Sequence, residues 1–141
     1  MNKLKENTMR LFFLIMLLVI FCHAEKTNII FDGKWIWVKN SDTKDFSILI
    51  EKTNTIFNGY YCAVFLKGNR IDCNEDKIPS FAFKYSNTNI IITEFTSYYS
   101  QTSGEIKLTF NNNELLWEVI KTPSGIFYCP TNALLIKQTN Q

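Results

Sequence analysis

Hydrophobic and polar residues alternate with a period of two along most of the chain beyond residue 33. Phe81 and Phe83 alternate with Ala82 and Lys84, and the segment 105–110 repeats the pattern. Successive side chains of a β-strand point to opposite faces of the sheet, so this period predicts strands with one buried face. It places eight or nine short strands within the segments 34–39, 46–51, 56–66, 69–73, 81–85, 90–95, 105–110, 114–121 and 133–137.

Short clusters of residues that favour turns separate these segments, for example at 41–43, 67–69, 86–89 and 111–113. No window of about a dozen residues has the spacing of an amphipathic helix. We therefore predict an all-β fold: a single small antiparallel up-and-down meander of eight or nine strands. Closure into a barrel is the simplest arrangement, because it leaves no exposed sheet edge.

An unbroken apolar run at 11–21 follows three basic residues, which is the pattern of a secretory signal peptide. The run is shorter than the roughly 20 apolar residues that cross a bilayer, so we expect cleavage near Ala24 and no retained membrane span. A lipid anchor on Cys22 is the alternative, and the bulky Phe21 before it disfavours that modification. The product is predicted to be exported, to a bacterial periplasm or out of the cell.

Removal of the signal peptide at 1–24 changes the charge of the chain. The whole chain has 15 basic and 13 acidic residues, and the signal carries three of the basic and one of the acidic residues, so 25–141 is neutral. Its charges are scattered singly, which argues against nucleic-acid binding. The single histidine, His23, is also removed, which excludes His-dependent triads and the commonest metal ligand.

We therefore predict one β-barrel domain at 25–141 that is not an enzyme and holds no cofactor or metal. The acidic turn 72–76 could gather a calcium ion through its oxygens. However, it lacks the glycine and the spaced glutamate of a calcium-binding loop, so a solvated turn is the favoured interpretation.

The first predicted strand carries a resemblance to a known class. Gly33-Lys34-Trp35 resembles the G-x-W element with which lipocalins and related calycin barrels begin, and the resemblance implies that Gly33 and Trp35 close one barrel end. Lipocalins place an arginine over this tryptophan, whereas this chain has Lys137 near its last strand. The chain is also similar to small exported bacterial proteins of unknown function that share G-x-W, YCAV, GNRIDC and YCP elements, found here at 33–35, 61–64, 68–73 and 128–130.

Three cysteines follow the signal peptide. A two-residue hairpin turn at 67–68 would place Cys62 opposite Cys73. Opposed positions bring Cβ atoms within about 5 Å, close enough for a disulfide in an oxidising compartment. The alternative pairing joins Cys73 to Cys129.

Aromatic residues fall mainly on the same strand faces as the aliphatic ones. In a barrel of about eight strands the interior is just wide enough to be filled by side chains or to hold one small ligand. So many large rings favour an interior that is filled by side chains. The residues concerned are Trp35, Trp37, Phe46, Phe57, Phe65, Phe81, Phe83, Phe95, Phe110 and Trp117.

With a filled interior, recognition has to occur on the outside. The loop 96–103 combines tyrosines with small polar residues, a composition that favours protein contacts, and Ser97, Tyr98, Tyr99 and Gln101 are its candidate binding residues. A plain hydrophilic loop is the alternative interpretation. Apolar residues are also predicted on the outer strand faces, at Val38, Leu49, Ile92, Leu116 and Ile120, where they would mark a partner or dimer surface.

Two functional hypotheses follow. The first is an exported, non-enzymatic binding protein that recognises another protein through its loops or outer barrel face, as an inhibitor or immunity-type factor does. The second is a carrier of a small apolar ligand inside a lipocalin-like barrel.

Overall fold

The computed structural model describes residues 29–74 and 76–139. The predicted signal peptide lies outside these residues. The described chain forms nine strands: β1 (Gly33–Trp37), β2 (Lys44–Thr53), β3 (Ile56–Phe65), β4 (Arg70–Cys73), β5 (Phe81–Lys84), β6 (Ile90–Thr96), β7 (Ser103–Asn111), β8 (Glu114–Lys121) and β9 (Asn132–Lys137).

Eight of these strands close into an antiparallel barrel. Each of them pairs with its neighbours in the order β1, β2, β3, β5, β6, β7, β8 and β9, and β9 returns to pair with β1. The described residues contain no helix. The structure therefore confirms the all-β, up-and-down fold predicted from the period-two pattern.

The ninth strand, β4, lies outside this ring. β3 uses one edge twice, pairing with β5 through Ile56 to Gly59 and with β4 through Cys62 to Phe65. Within the described chain β3 is the only strand that pairs with β4. The sheet is therefore interrupted between β4 and β6, and contacts other than strand pairing hold that part of the barrel wall together.

Aromatic side chains fill the barrel interior. The fully buried ring of Trp117 lies 5.4 to 6.1 Å, centroid to centroid, from the rings of Phe46, Tyr61, Phe81 and Phe95. Such spacings are those of packed aromatic pairs. Most of the predicted aromatic residues are buried as expected, whereas Trp37 and Phe65 are only partly buried.

Phe31, which precedes the first strand, closes one end of the barrel. Its ring packs edge-on against the rings of Phe57, Phe83 and Phe110 at 4.8 to 5.5 Å. We call this cluster the aromatic end. The indole of Trp35 lies behind it and donates a hydrogen bond from Nε1 to the carbonyl of Phe31 over 3.2 Å.

Gly33 and Lys137 complete this arrangement around Trp35. The Nζ atom of Lys137 lies 5.4 Å from the Trp35 ring centroid. A side chain on Gly33 would place its Cβ 2.7 Å from Cε of Lys137, and the backbone φ of +125° also favours glycine there. Lys137 thus covers the ring of Trp35, and Phe31 packs beside it.

Candidate functional site

The β3–β4 hairpin has the predicted register. Lys67 and Gly68 form its turn with φ values of 56° and 91°, and Cys62 lies opposite Cys73. The two cysteines form a disulfide. Cys129 is buried and unpaired among the described residues, so the alternative pairing of Cys73 with Cys129 is not formed.

The same register turns the residue that precedes Cys73 toward the interior. Asp72 pairs with buried Ala63 and is itself fully buried. Its carboxylate accepts hydrogen bonds from the Ser97 hydroxyl at 2.9 Å and from the backbone amides of Tyr99 and Tyr128 at 3.1 and 3.0 Å. A buried carboxylate requires such donors, and these bonds are of the strong, charge-assisted kind. Asp72 therefore joins β4 to the β6–β7 and β8–β9 loops, where strand pairing is interrupted.

Two more buried polar groups lie beside this carboxylate. Burial, and then the charge of Asp72, raises the pKa of the Cys129 thiol. Burial likewise raises the pKa of Tyr61, with further contributions from Cys129 and Asp72. Both groups are therefore neutral at physiological pH. A neutral thiol is a poor nucleophile and a poor metal ligand. We call Asp72, Ser97, Tyr61 and Cys129 the polar end of the barrel.

The loops fixed by Asp72 carry two tyrosine rings in contact, of which Tyr99 is exposed and Tyr128 is half-buried. The rings of Tyr99 and Tyr128 pack edge-on at 4.6 Å, and the Arg70 guanidinium carbon lies 5.6 Å from the Tyr128 centroid. The pKa of Tyr128 is raised, chiefly by its side-chain hydrogen bond with Tyr99. Arg70, Tyr99 and Tyr128 together form what we call the tyrosine surface. It presents two phenols and a guanidinium, held by contacts with one another and by a buried anchor.

The predicted binding residues of the 96–103 loop divide into two groups. Tyr98 and Tyr99 are exposed to 38% and 53% of their surface. Tyr98 and Gln101 line a small cleft beside the tyrosine surface, and Gln101 donates from Nε2 to the Tyr98 carbonyl over 2.7 Å. Ser97 is fully buried against Asp72, so its predicted part in a surface contact is wrong. Its hydroxyl connects the loop to the buried carboxylate of Asp72.

Sequence reasoning missed Arg70, Asp72 and Tyr128 as members of this site. The hairpin register carried a usable signal for Asp72, because placing Cys62 opposite Cys73 also places Asp72 opposite an inward-facing alanine. No local pattern brings Tyr128 to Tyr99, since the two loops are distant in sequence.

Asp72 and Asp76, the described acidic residues of the turn 72–76, do not point toward a common site that could hold a cation. Asp72 points into the barrel, whereas Asp76 is exposed. Over residues 29–74 and 76–139, no group of three or more His, Cys, Asp or Glu side chains could hold a metal ion. In the same residues, no helix is long and apolar enough to cross a membrane.

The outer barrel wall carries a second exposed feature. Val38, Leu49, Ile92 and Ile120 are exposed as predicted, and Leu116 is half-buried. Leu116 and Ile120 share β8, Leu49 lies on β2, Ile92 lies on β6, and Val38 directly follows β1. A more continuous apolar strip crosses β1, β9 and β8, where Ile36 pairs with Ile136 and Leu116 pairs with Leu134.

These observations define a class of fold: a small, closed, antiparallel β-barrel of the lipocalin-like kind, with a packed interior and a loop surface fixed by a buried carboxylate. Comparison with protein-family models, with curated proteins and with solved structures finds no match to this chain. The function is therefore inferred from the geometry of the site.

Proposed function

We propose that this protein is a non-enzymatic binding protein that recognises another protein through the tyrosine surface and the adjoining cleft of Tyr98 and Gln101. The observation that carries the proposal is the triple hydrogen bonding of buried Asp72, which fixes the loops that present Tyr99 and Tyr128. Tyrosine and arginine are enriched among the residues that dominate binding energy at protein interfaces.

Preorganisation strengthens this proposal. Ordering a flexible loop on binding costs free energy that subtracts from affinity. Here the loop is already ordered, because the backbone N–H of Gln101 donates to the Ser97 carbonyl and the Ser100 and Thr102 hydroxyls share a hydrogen bond. A rigid loop that exposes tyrosines resembles the paratopes of protein binders.

The second hypothesis, a carrier of a small apolar ligand, has less support. The rings around Trp117 occupy the space that such a ligand would need. An open cleft of about 560 Å³ lies outside the barrel near the aromatic end, but five asparagines are part of its lining. A lining rich in amides does not suit an apolar ligand.

We further propose that the protein is exported and acts as an inhibitor or immunity-type factor on an extracytoplasmic partner. The Cys62–Cys73 disulfide supports an oxidising compartment. The G-x-W, YCAV, GNRIDC and YCP elements support a place among the small exported bacterial proteins described above.

Site-specific photo-crosslinking in the encoding host tests the proposal. A photo-reactive amino acid replaces Tyr99 in one variant and Tyr85 in a matched control, because the two tyrosines are exposed to 53% and 52%. Tyr85 lies at the aromatic end, 6.0 Å from the Phe31 ring. We expect one defined polypeptide to crosslink at position 99 and not at 85. Crosslinks of equal yield at both positions, or only from a probe at Leu134 on the apolar strip, would refute the assigned surface.

A further inference from the structure

Arg70 and Asp72, two of the four residues of β4, both contact the loops of the tyrosine surface. The guanidinium of Arg70 lies against the ring of Tyr128, and the carboxylate of Asp72 accepts hydrogen bonds from the backbone amides of Tyr99 and Tyr128. The position of β4 therefore determines whether the surface is assembled.

Apart from the hydrogen bonds of Asp72, β4 is attached to the barrel by pairing with a single strand. It is short, and β3 is the one strand that pairs with it in the described chain. Its C-terminal residue, Cys73, is bonded to Cys62 of β3, and the chain then leaves the sheet until β5 begins at Phe81. A two-stranded hairpin is only marginally stable by itself. The turn at Lys67 and Gly68 links β3 to β4 at one end of the hairpin, and the disulfide is the second covalent link, at the other end.

From this arrangement we infer that the Cys62–Cys73 disulfide controls the assembly of the tyrosine surface, so that the oxidised chain presents the surface and the reduced chain does not. This inference rests on the proposed function only for its biological meaning, since the structural change it describes requires no partner.

The chemistry of the switch is ordinary thiol–disulfide exchange. A dithiol reductant supplies two electrons and two protons, the bond between the two sulfurs breaks, Cys62 and Cys73 become thiols, and the reductant becomes a disulfide. Both cysteines are half-buried rather than enclosed, so a reductant can approach them. Cys129 takes no part, because its thiol is buried and protonated.

Amide hydrogen exchange, measured residue by residue on the purified chain before and after treatment with dithiothreitol, tests the inference. The reporters are the amides of Tyr99 and Tyr128, which donate to Asp72. The controls are the amides of Phe110 and Lys137, which donate to the carbonyls of Asn89 and Asn113 at 2.8 Å in the other part of the barrel. We expect reduction to accelerate exchange at both reporters by about 10- to 100-fold and to leave the controls unchanged.

Two further variants keep the outcome decisive. The Cys62→Ala/Cys73→Ala double variant should show the exchange pattern of the reduced chain without any reductant. Asp72→Asn, with the disulfide intact, should accelerate the same reporters. Unchanged reporters in the reduced chain alongside fast reporters in Asp72→Asn would overturn the inference, since β4 would then hold its place without the disulfide. Accelerated exchange at the controls as well would also overturn it, because the disulfide would then support the whole barrel.

These outcomes are separable from those of the crosslinking experiment. Fast reporters on reduction with no crosslink at position 99 would uphold the redox control and refute the binding function. A crosslink of equal yield in oxidised and reduced protein would uphold the binding function and overturn the redox control.

Discussion

The two ends of this barrel are closed by different kinds of interaction. At the aromatic end, Phe31 packs edge-on into a cluster of phenylalanine rings, and aromatic packing makes up most of the contacts. At the polar end, the carboxylate of Asp72 joins β4 to two loops through three hydrogen bonds. Hydrophobic packing is non-directional, whereas hydrogen bonds specify the positions of the groups they join. The end that needs exact loop positions is therefore the end that uses the buried carboxylate.

The largest expected effect belongs to the aromatic end. Phe31→Ala removes a fully buried ring from its cluster and should lower the free energy of unfolding by about 3–5 kcal/mol. Urea denaturation measures this loss, and Tyr85→Ala, an exposed neighbour, is the control, with an expected change within about 0.5 kcal/mol. Crosslinking from position 99 should persist in folded Phe31→Ala protein. Its loss would show that the two ends are not independent.

Compared with Phe31→Ala, Asp72→Asn should lower the free energy of unfolding less but disturb the loops of the tyrosine surface more. The amide is of similar size but lacks the charge that strengthens the bonds from Ser97, Tyr99 and Tyr128, so we expect a loss of about 1–3 kcal/mol together with fast exchange at the two tyrosine amides. Asp76→Asn, a change to an exposed carboxylate just beyond β4, is the matched control and should have neither effect. Equal stability and equal amide exchange in the two variants would contradict the assigned role of Asp72.

Stability should also fall at alkaline pH because of the polar end. The pKa of buried Cys129 is raised above its ordinary value of 9.0, and that of buried Tyr61 is raised above 10.0. Above these ordinary values the unfolded chain releases protons that the folded chain retains, so each group lowers the free energy of unfolding by about 1.4 kcal/mol per pH unit. Below pH 9 both groups are protonated in the folded and in the unfolded chain, so neither lowers the free energy of unfolding there.

Urea midpoints measured from pH 7 to 10.5 test this pH dependence. Cys129→Ser cannot titrate in this range and should therefore show a shallower decline between pH 9 and 10 than the parent chain. Parallel curves for the two proteins would contradict the assignment of a neutral, buried thiol.

The smallest effect is expected at the lysine that covers Trp35. Lys137→Gln removes the ammonium group 5.4 Å from the indole centroid and should cost about 0.5–1 kcal/mol. Lys34→Gln, a change to an exposed lysine on the neighbouring strand β1, is the control and should be neutral. A neutral result for Lys137→Gln would mean that the lysine covers the ring without stabilising it.

The two ends also differ in how far their structure could be predicted. The period-two pattern located the strands, and the hairpin geometry predicted the Cys62–Cys73 pair, because both depend on local repeats and short turns. Phe31 was missed because it precedes the first strand and belongs to no alternating segment. The burial of Ser97 was missed because its partner, Asp72, lies 25 residues away in sequence.

The pairing of one edge of β3 with both β4 and β5 could not be predicted from local sequence patterns either. A strand pattern specifies which face is buried but not how many neighbours share one edge. β4 and β5 each have a strand pattern, and only the closed barrel shows that both pair with the same edge of β3. Strand pairing is therefore interrupted beside β4, and the hydrogen bonds of Asp72 connect the chain there.

Binding of the partner identified by crosslinking decides whether the tyrosine surface is the recognition site. Dissociation constants should be measured for the parent chain, Tyr99→Ala, Tyr128→Ala and the control Tyr85→Ala. We expect each change in the tyrosine surface to weaken binding by about 30-fold or more, as for dominant interface residues, and Tyr85→Ala to leave it unchanged. Equal affinity of Tyr99→Ala, Tyr128→Ala and the parent chain would contradict this assignment.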